Sequence, residues 1–281
     1  VTDYLRPSSL DEAVAARAAH PDWMVLAGGT DLLVGANKHH EPAGVIDLFG
    51  LPAITAIEES ADGTIAVGAA ATYAELLASE LVRRELPCLA AAAREIGALQ
   101  IQARGTVGGN IATSSPVGDS LPCLLALDAE IELVGPNGAR TVPYHQFCTG
   151  YRTTALAADE LIARIRFPPR PAGMRQMWRK VGTRRAQSIS KVMLAAAGTV
   201  DDGAIGHVRV ALGAVADRPI RVTAVEELLA GKAPTEAVAG DAADALAGAI
   251  TPIDDIRSRA AYRLRVAQNL VARFVRFLGD R

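Results

Sequence analysis

Lysine is scarce in this chain: Lys38, Lys180, Lys191 and Lys232 are the only four, and arginine carries the rest of the positive charge. Cysteine is scarcer still. Cys88, Cys123 and Cys148 lie far apart, in no CxxC or Cys/His cluster. Such spacing argues against a structural zinc or an iron–sulfur cluster held by this chain alone. An odd, sparse set also argues against a secreted disulfide scaffold. No uninterrupted apolar run reaches the ~20 residues that span a bilayer. Neither sign of charge dominates: 29 basic residues against 31 acidic leave a net charge of −2, which offers no electrostatic footprint for nucleic acid. The first residues hold no basic-then-apolar leader, so a cytoplasmic protein is expected.

What is present reads as a folded globular chain, 50% apolar and 21% charged over 281 residues. At ~150 residues per domain the length suggests two domains. Pro168-Pro-Arg-Pro-Ala-Gly173 is the linker candidate and puts the boundary near residue 171. Upstream, residues 8–20 open with Ser and acidic residues and turn Ala-rich, a capped helix. Trp23–Ala27 and Gly44–Leu48 read as short strands joined through a glycine turn and a helical stretch, a small βαβ unit. Residues 54–68 read as a hairpin turning at Asp62-Gly63. Thr72 with Glu75 forms a capping box, and helices are expected over 87–98 and 121–127. Residues 129–134 and 161–167 alternate as strands. Beyond the linker, strands are expected near 174–181, 192–200 and 206–215, then helices near 222–230, 235–248 and 258–278.

Three segments could carry chemistry. Leu26-Ala-Gly-Gly-Thr-Asp-Leu32 follows a strand, and adjacent glycines let the backbone turn with its N–H groups outward, as a phosphate requires. It is neither a GxGxxG fingerprint nor a Walker loop, and an ordinary strand-to-helix turn would share its composition. Gly105–Pro122 is a long run of glycine and small hydroxyl residues with Asn110 and Asp119 embedded, either a ligand cradle or a surface loop. Trp178–Lys191 holds five cations, either a solvated strand and turn or a wall beside an anionic cofactor. His39 and His40 read as a solvated pair in a loop. No GxSxG elbow occurs, and Cys123 and Cys148 read as small core residues.

Taken together and in order, Ala27–Asp31, Ile96–Asn110 and Ser115–Asp119 resemble the FAD-binding medium subunit of the molybdenum hydroxylases, the family of xanthine dehydrogenase and aerobic carbon monoxide dehydrogenase. The resemblance continues through Phe147–Arg152, Lys180–Arg185, Val210–Val215 and Thr251–Arg257. It implies an α+β protein: a two-subdomain α/β FAD-binding domain over 1–171 (about 1–53 and 54–171), then a C-terminal domain over 172–281 of a small antiparallel sheet with helices. By the same resemblance Ala27, Gly28, Gly29, Thr30 and Asp31 hold the FAD diphosphate, with Leu26 and Leu32 beside them in the cofactor site. Thr106, Val107, Gly108, Gly109, Asn110, Ala112, Thr113, Gly118 and Asp119 line the rest of the FAD, with Ile96 and Ile162 as apolar contacts and Lys180 as a cation beside the flavin. The stretch Ala186-Gln187-Ser188 lacks the acidic residues that xanthine dehydrogenases carry there. No residue of this chain is expected to act as a catalytic acid or base or to bind a metal. The expected partners are a small subunit with two 2Fe–2S clusters and a large subunit with a molybdenum–pterin cofactor, in a dimer of heterotrimers. Two other classes remain: a stand-alone flavin oxidoreductase of the same fold, and a nucleotide-binding module without redox activity.

Overall fold

The computed structural model describes residues 2–34, 42–185 and 187–280. Lys38, His39 and His40, and Ala186 of the 186–188 stretch, lie outside the described residues. The chain opens with β1 (Asp3–Leu5), α1 (Leu10–Ala19), β2 (Met24–Leu26) and β3 (Gly44–Asp47). The three strands form a parallel sheet in the order β1-β3-β2. β1 is absent from the sequence reading because three residues are too few to show alternation. Ser9 caps α1 by accepting the Glu12 N–H at 3.2 Å. Ala13 of α1 and Ile46 of β3 are fully buried, in a small core shared with Leu51, Ile54 and Leu161.

The next unit is a sheet with helices along one side. Its strands are β4 (Ile57–Glu59), β5 (Ile65–Gly68), β6 (Glu130–Gly135) and β7 (Gly138–Pro143), with β8 (Cys148–Gly150) and β9 (Thr153–Thr154) forming a separate small hairpin. β10 (Leu161–Phe167) enters the centre of the main sheet, whose order is β4-β5-β10-β6-β7 and whose pairs are all antiparallel. The β4–β5 turn falls on Asp62-Gly63, with Gly63 at φ +82°. The helices are α2 (Tyr73–Ala78), α3 (Glu80–Glu85), α4 (Pro87–Glu95), α5 (Leu99–Gln102), α6 (Val107–Thr113), α7 (Leu121–Ala126) and α8 (Tyr144–Phe147). The capping box forms: the Thr72 N–H donates to Glu75 at 2.7 Å and the Glu75 N–H to Thr72 at 3.2 Å. α4 stops at Glu95, short of the expected Ala98, because Gly97 takes φ +53°.

The last unit is an antiparallel sheet of β11 (Arg175–Val181), β12 (Val192–Asp201), β13 (Ala204–Gly213) and β14 (Ile220–Arg221). α9 (Thr223–Leu229), α10 (Glu236–Ala245) and α11 (Ala260–Gly279) cover one face. β12 is buried on both faces, so its sequence shows no polar alternation. Val192, Leu194 and Ala196 face the helices, while Ala195 and Ala197 join Trp178 in the core of the preceding unit, beside Leu124 of α7. α11 presents Ala267, Leu270, Val271, Phe274, Val275 and Leu278 at helical spacing to the same core. This two-sided burial seats β11 against α4, and β12 and β13 against α7, and so brings the cationic strand next to the glycine-rich segment.

Candidate functional site: a cleft between two glycine-rich segments

The two glycine-rich segments meet. A Cβ at Gly28 would lie 1.9 Å from the Arg104 carbonyl oxygen, so only glycine lets the chain after β2 and the chain after α5 approach this closely. Thr113 donates to Asp31 at 3.3 Å across the same junction. The Arg104 guanidinium stacks over Phe49 at 3.6 Å, fastening the second segment to the parallel sheet. Gly29 sits at φ +73°, the left-handed region.

The expected loop over 105–122 is partly helical, because Thr106 caps α6 by accepting the Gly109 N–H at 3.1 Å. A Cβ at Gly108 would lie 2.6 Å from that of Ala69, so the helix rests directly on the chain leaving β5. The segment after α6 is held by buried polar contacts. Ser120 donates to the Asn110 side-chain oxygen at 3.0 Å and meets the Tyr73 hydroxyl at 3.0 Å. Burial pushes the Tyr73 phenol up, so it stays protonated.

Between these walls runs a cleft of about 600 Å³, within the ~300–1,000 Å³ of small-molecule sites. Every residue expected at the site lines it except Leu26, Val107 and Lys180. Leu26 belongs to β2, and Val107 is 1% exposed in the core. Lys180 sits one layer back. Its ammonium donates to Asp119 at 2.5 Å, and Asp119 lines the cleft. Ser190 donates to the other Asp119 oxygen at 2.6 Å, and the Trp178 indole to the Asp119 carbonyl at 3.0 Å. Burial pushes the Asp119 carboxyl up, while Lys180 and Ser190 pull it back. Three residues of the last unit thus fix one wall of the cleft.

Other lining residues escaped the sequence reading. Arg17, Leu48, Ile54 and Glu160 come from three separate segments and share no motif. Arg17 donates to the Trp23 carbonyl at 2.8 Å, while its Nε is buried and unpartnered. Ala69 and Ala70 also line the cleft; the run Gly68-Ala-Ala-Ala71 was the one local signal, since small residues allow close approach.

The cleft fits a flavin dinucleotide. The backbone N–H groups of Gly28, Gly29, Thr30 and Asp31 donate to nothing among the described residues, yet lie on the cleft wall. Such a run of unused amides at adjacent glycines is a cradle for a phosphate anion. Apolar side chains line the same cleft, among them Ile96, Ile101, Ile162, Val25 and Leu48. Gln102 holds Ile96 in place by donating to its carbonyl at 3.0 Å.

A glycine cradle between a small parallel sheet and an antiparallel one, backed at Asp119 by a third sheet-and-helix unit, defines a flavin-nucleotide-binding protein. Two family profiles place it further: residues 1–170 match the FAD binding domain in molybdopterin dehydrogenase, and residues 178–278 the CO dehydrogenase flavoprotein C-terminal domain. The chain belongs to the FAD-binding medium subunits of the molybdenum hydroxylases, a family of oxidoreductase flavoproteins. It is 31% identical to the xanthine dehydrogenase FAD-binding subunit of Escherichia coli O157:H7, covering 97% of this chain and 94% of that one. It is 33% identical to the nicotine 6-hydroxylase medium subunit of Paenarthrobacter nicotinovorans, over 99% and 97% of the two chains. The solved carbon monoxide dehydrogenase of Hydrogenophaga pseudoflava superposes with a TM-score of 0.92 at 34% identity, over 97% of this chain and 95% of that one. No helix among the described residues is long and apolar enough to cross a membrane.

Proposed function

We propose that this chain is the flavin subunit of a cytoplasmic three-subunit molybdenum hydroxylase. In this reading it takes electrons from the 2Fe–2S clusters of a small partner and passes them to an external acceptor, while a large partner holds the molybdenum–pterin cofactor and works on the substrate. The observation that carries the reading is the set of four unused amides, Gly28 to Asp31, on the wall of a cleft of about 600 Å³ that the second glycine-rich segment completes. Bound FAD supplies the chemistry, because a flavin exchanges electrons singly with clusters and in pairs with other acceptors. The chain's residues bind and orient it. The amides of Gly28–Asp31 cradle the diphosphate, Ile96 and Ile162 cover the apolar ring system, and Asn110 and Asp119 offer polar contacts at its edge. Lys180 acts on that edge through Asp119. Residues 1–171 form the FAD-binding domain in two parts, about 1–53 and 54–171, and residues 172–281 form the C-terminal domain, which backs the wall at Asp119.

Three buried, unpaired cysteines, of which only Cys88 and Cys123 adjoin, fall short of the four thiolates a cluster needs, which supports a division of labour in which the clusters belong to a partner. The dimer of heterotrimers follows from the same family reading. The test is purification from the native host. The expected preparation contains two further chains, FAD, iron and molybdenum, and acid releases all the yellow colour, since no His or Cys among the described residues lines the cleft for a covalent link. A chain that purifies alone and turns over a substrate unaided sinks the partner reading. Gly29→Asp adds a negative charge beside the phosphate cradle, at a left-handed position where its Cβ would press on Leu26 and Leu33, and should abolish FAD binding. Normal flavin content in that variant sinks the diphosphate assignment.

A further inference from the structure

Two segments of the last unit, far apart in the chain, lie side by side. Residues 187–191 end the connection from β11 to β12, and residues 251–259 lead into α11. Arg263, buried at the start of α11, ties them together: its guanidinium donates to the Lys191 carbonyl at 2.6 Å and to the Asp255 carboxylate at 2.7 Å. The Lys191 ammonium lies over the Tyr262 ring at 5.3 Å. Of the ten large apolar side chains exposed among the described residues, four fall on this junction: Ile189, Ile253, Ile256 and Tyr262. Single exposed apolar residues are ordinary, whereas several together mark a contact surface.

Ile256 is the most exposed of them, at 97%, and its turn is braced. The Asp255 carboxylate accepts the N–H groups of Arg257 and Ser258, each at 2.9 Å, as well as the Arg263 guanidinium. An isoleucine left in water contributes nothing to this chain's own stability, yet the backbone around it is fixed by a carboxylate. Such a tip is ordered before any partner arrives, so covering it costs little further entropy. Residues 182–191 and 251–265 together carry seven arginines and lysines against two carboxylates, in a chain whose net charge is −2. The junction also backs the FAD cleft. Ser190, next to Ile189, donates to Asp119 on the cleft wall at 2.6 Å. Arg263 donates to the Ala214 carbonyl at 3.1 Å, and the Ala214 N–H to the Pro116 carbonyl at 2.9 Å, between Ser115 and Val117 of the same wall.

We propose that this junction is the docking surface for the cluster-bearing small subunit, whose matching face is apolar at its centre and acidic at its rim. The inference rests on the reading of the chain as a flavin subunit and adds the place of contact. An electron donor must bring its cluster close to the flavin, and a chain seated on Ile189 and Ile256 touches the residues that brace the cleft wall. A subunit that works on the substrate has no such need. The excess of cations selects an acidic face by charge complementarity and makes the contact sensitive to salt.

The test uses the assembled complex with Ile256→p-benzoylphenylalanine in this chain. Irradiation should join the chain to the iron–sulfur subunit, identified by mass spectrometry of the cross-linked product. Ile253→Asp combined with Ile256→Asp should weaken binding of that subunit roughly tenfold or more, read as its dissociation from the purified complex on dilution, with FAD content unchanged. Ala61→Asp, which adds an acidic residue at the exposed β4–β5 turn, should leave the subunit bound. Raising the salt concentration should weaken the parent complex. A cross-link to the large subunit or to a second copy of this chain, no cross-link at all, full retention of the subunit in the double variant, or binding indifferent to salt would each overturn the proposal. A parent chain that purifies without an iron-containing partner is a failure of the flavin-subunit reading, whereas a parent complex that holds together with Ile256 uncovered is a failure of this surface alone.

Discussion

Replacing Lys180 with Met removes one half of a buried ion pair and leaves the other in place. Lys180 is 2% exposed and Asp119 11%, with 2.5 Å between the ammonium and the carboxylate. At an effective dielectric of ~20 the gross attraction at that separation is ~7 kcal/mol. The cost of taking both charges out of water offsets part of it, and deleting one partner of such a pair typically destabilises by ~3–5 kcal/mol. Lys180→Met should lose about that much at neutral pH, read as a lower urea midpoint at unchanged slope. The loss should depend on pH in a definite direction. The folded-state pKa of Asp119 is already raised by burial, and removing Lys180 raises it further. A carboxyl with a raised folded pKa holds its proton more tightly when folded, so stability falls as pH rises from the unfolded value through the folded one. The Lys180→Met deficit should thus shrink on acidification towards pH ~4 and be largest above neutrality. Asp119→Asn combined with Lys180→Met removes the stranded charge and should recover most of the loss. A single variant that loses under ~1 kcal/mol, a deficit that grows on acidification, or a double variant no more stable than the single one would refute the argument.

The same Lys180→Met chain, loaded with FAD, should show a lower two-electron potential by some tens of millivolts, since Asp119 keeps its charge at the cleft; ~1.4 kcal/mol corresponds to ~30 mV. Lys232→Met is the control, and equal potentials in the parent and the Lys180 variant at matched FAD content would count against any influence on the flavin. Gly28→Ala should lose FAD, seen as a fallen flavin-to-protein absorbance ratio, because its Cβ would meet the Arg104 carbonyl oxygen at 1.9 Å. Gly240→Ala, in helix α10 with nothing within 4 Å of the added methyl, should keep FAD and gain roughly 0.5–1 kcal/mol of stability. At Asp255 burial pushes the carboxyl up, but the N–H groups of Arg257 and Ser258 and the Arg263 guanidinium outweigh it and hold it at about 2. A depressed folded pKa contributes stability above the unfolded value of 3.8 and loses it as pH falls towards 2, so Asp255→Asn should flatten the acid limb of the stability curve in that window. An unchanged acid limb would remove Asp255 from the acid response.

The sequence by itself determined what is written in short-range patterns. Adjacent glycines after an apolar run specified the turn at Gly28-Gly29, and the Thr72/Glu75 spacing specified the start of α2. The Asp62-Gly63 turn and the apolar repeat of α11 were equally legible, since each depends on residues within a few positions of one another. The ordered series of glycine motifs was enough to identify the family and sixteen of the lining residues, because backbone approach to a phosphate needs glycine itself and leaves that signature in the chain. Tertiary structure decided everything that depends on which distant segments meet. It turned Val107–Thr113 of the expected loop over 105–122 into α6, through a cap that glycine-rich composition conceals. It brought Arg17, Leu48 and Glu160 to the cleft from segments with no motif in common. It withdrew Lys180 from the lining and gave it Asp119, 61 residues away, as a partner. A side chain's charge can be read from one letter, but its dielectric surroundings and its counter-ion are set only when β11 packs against the segment that carries Asp119.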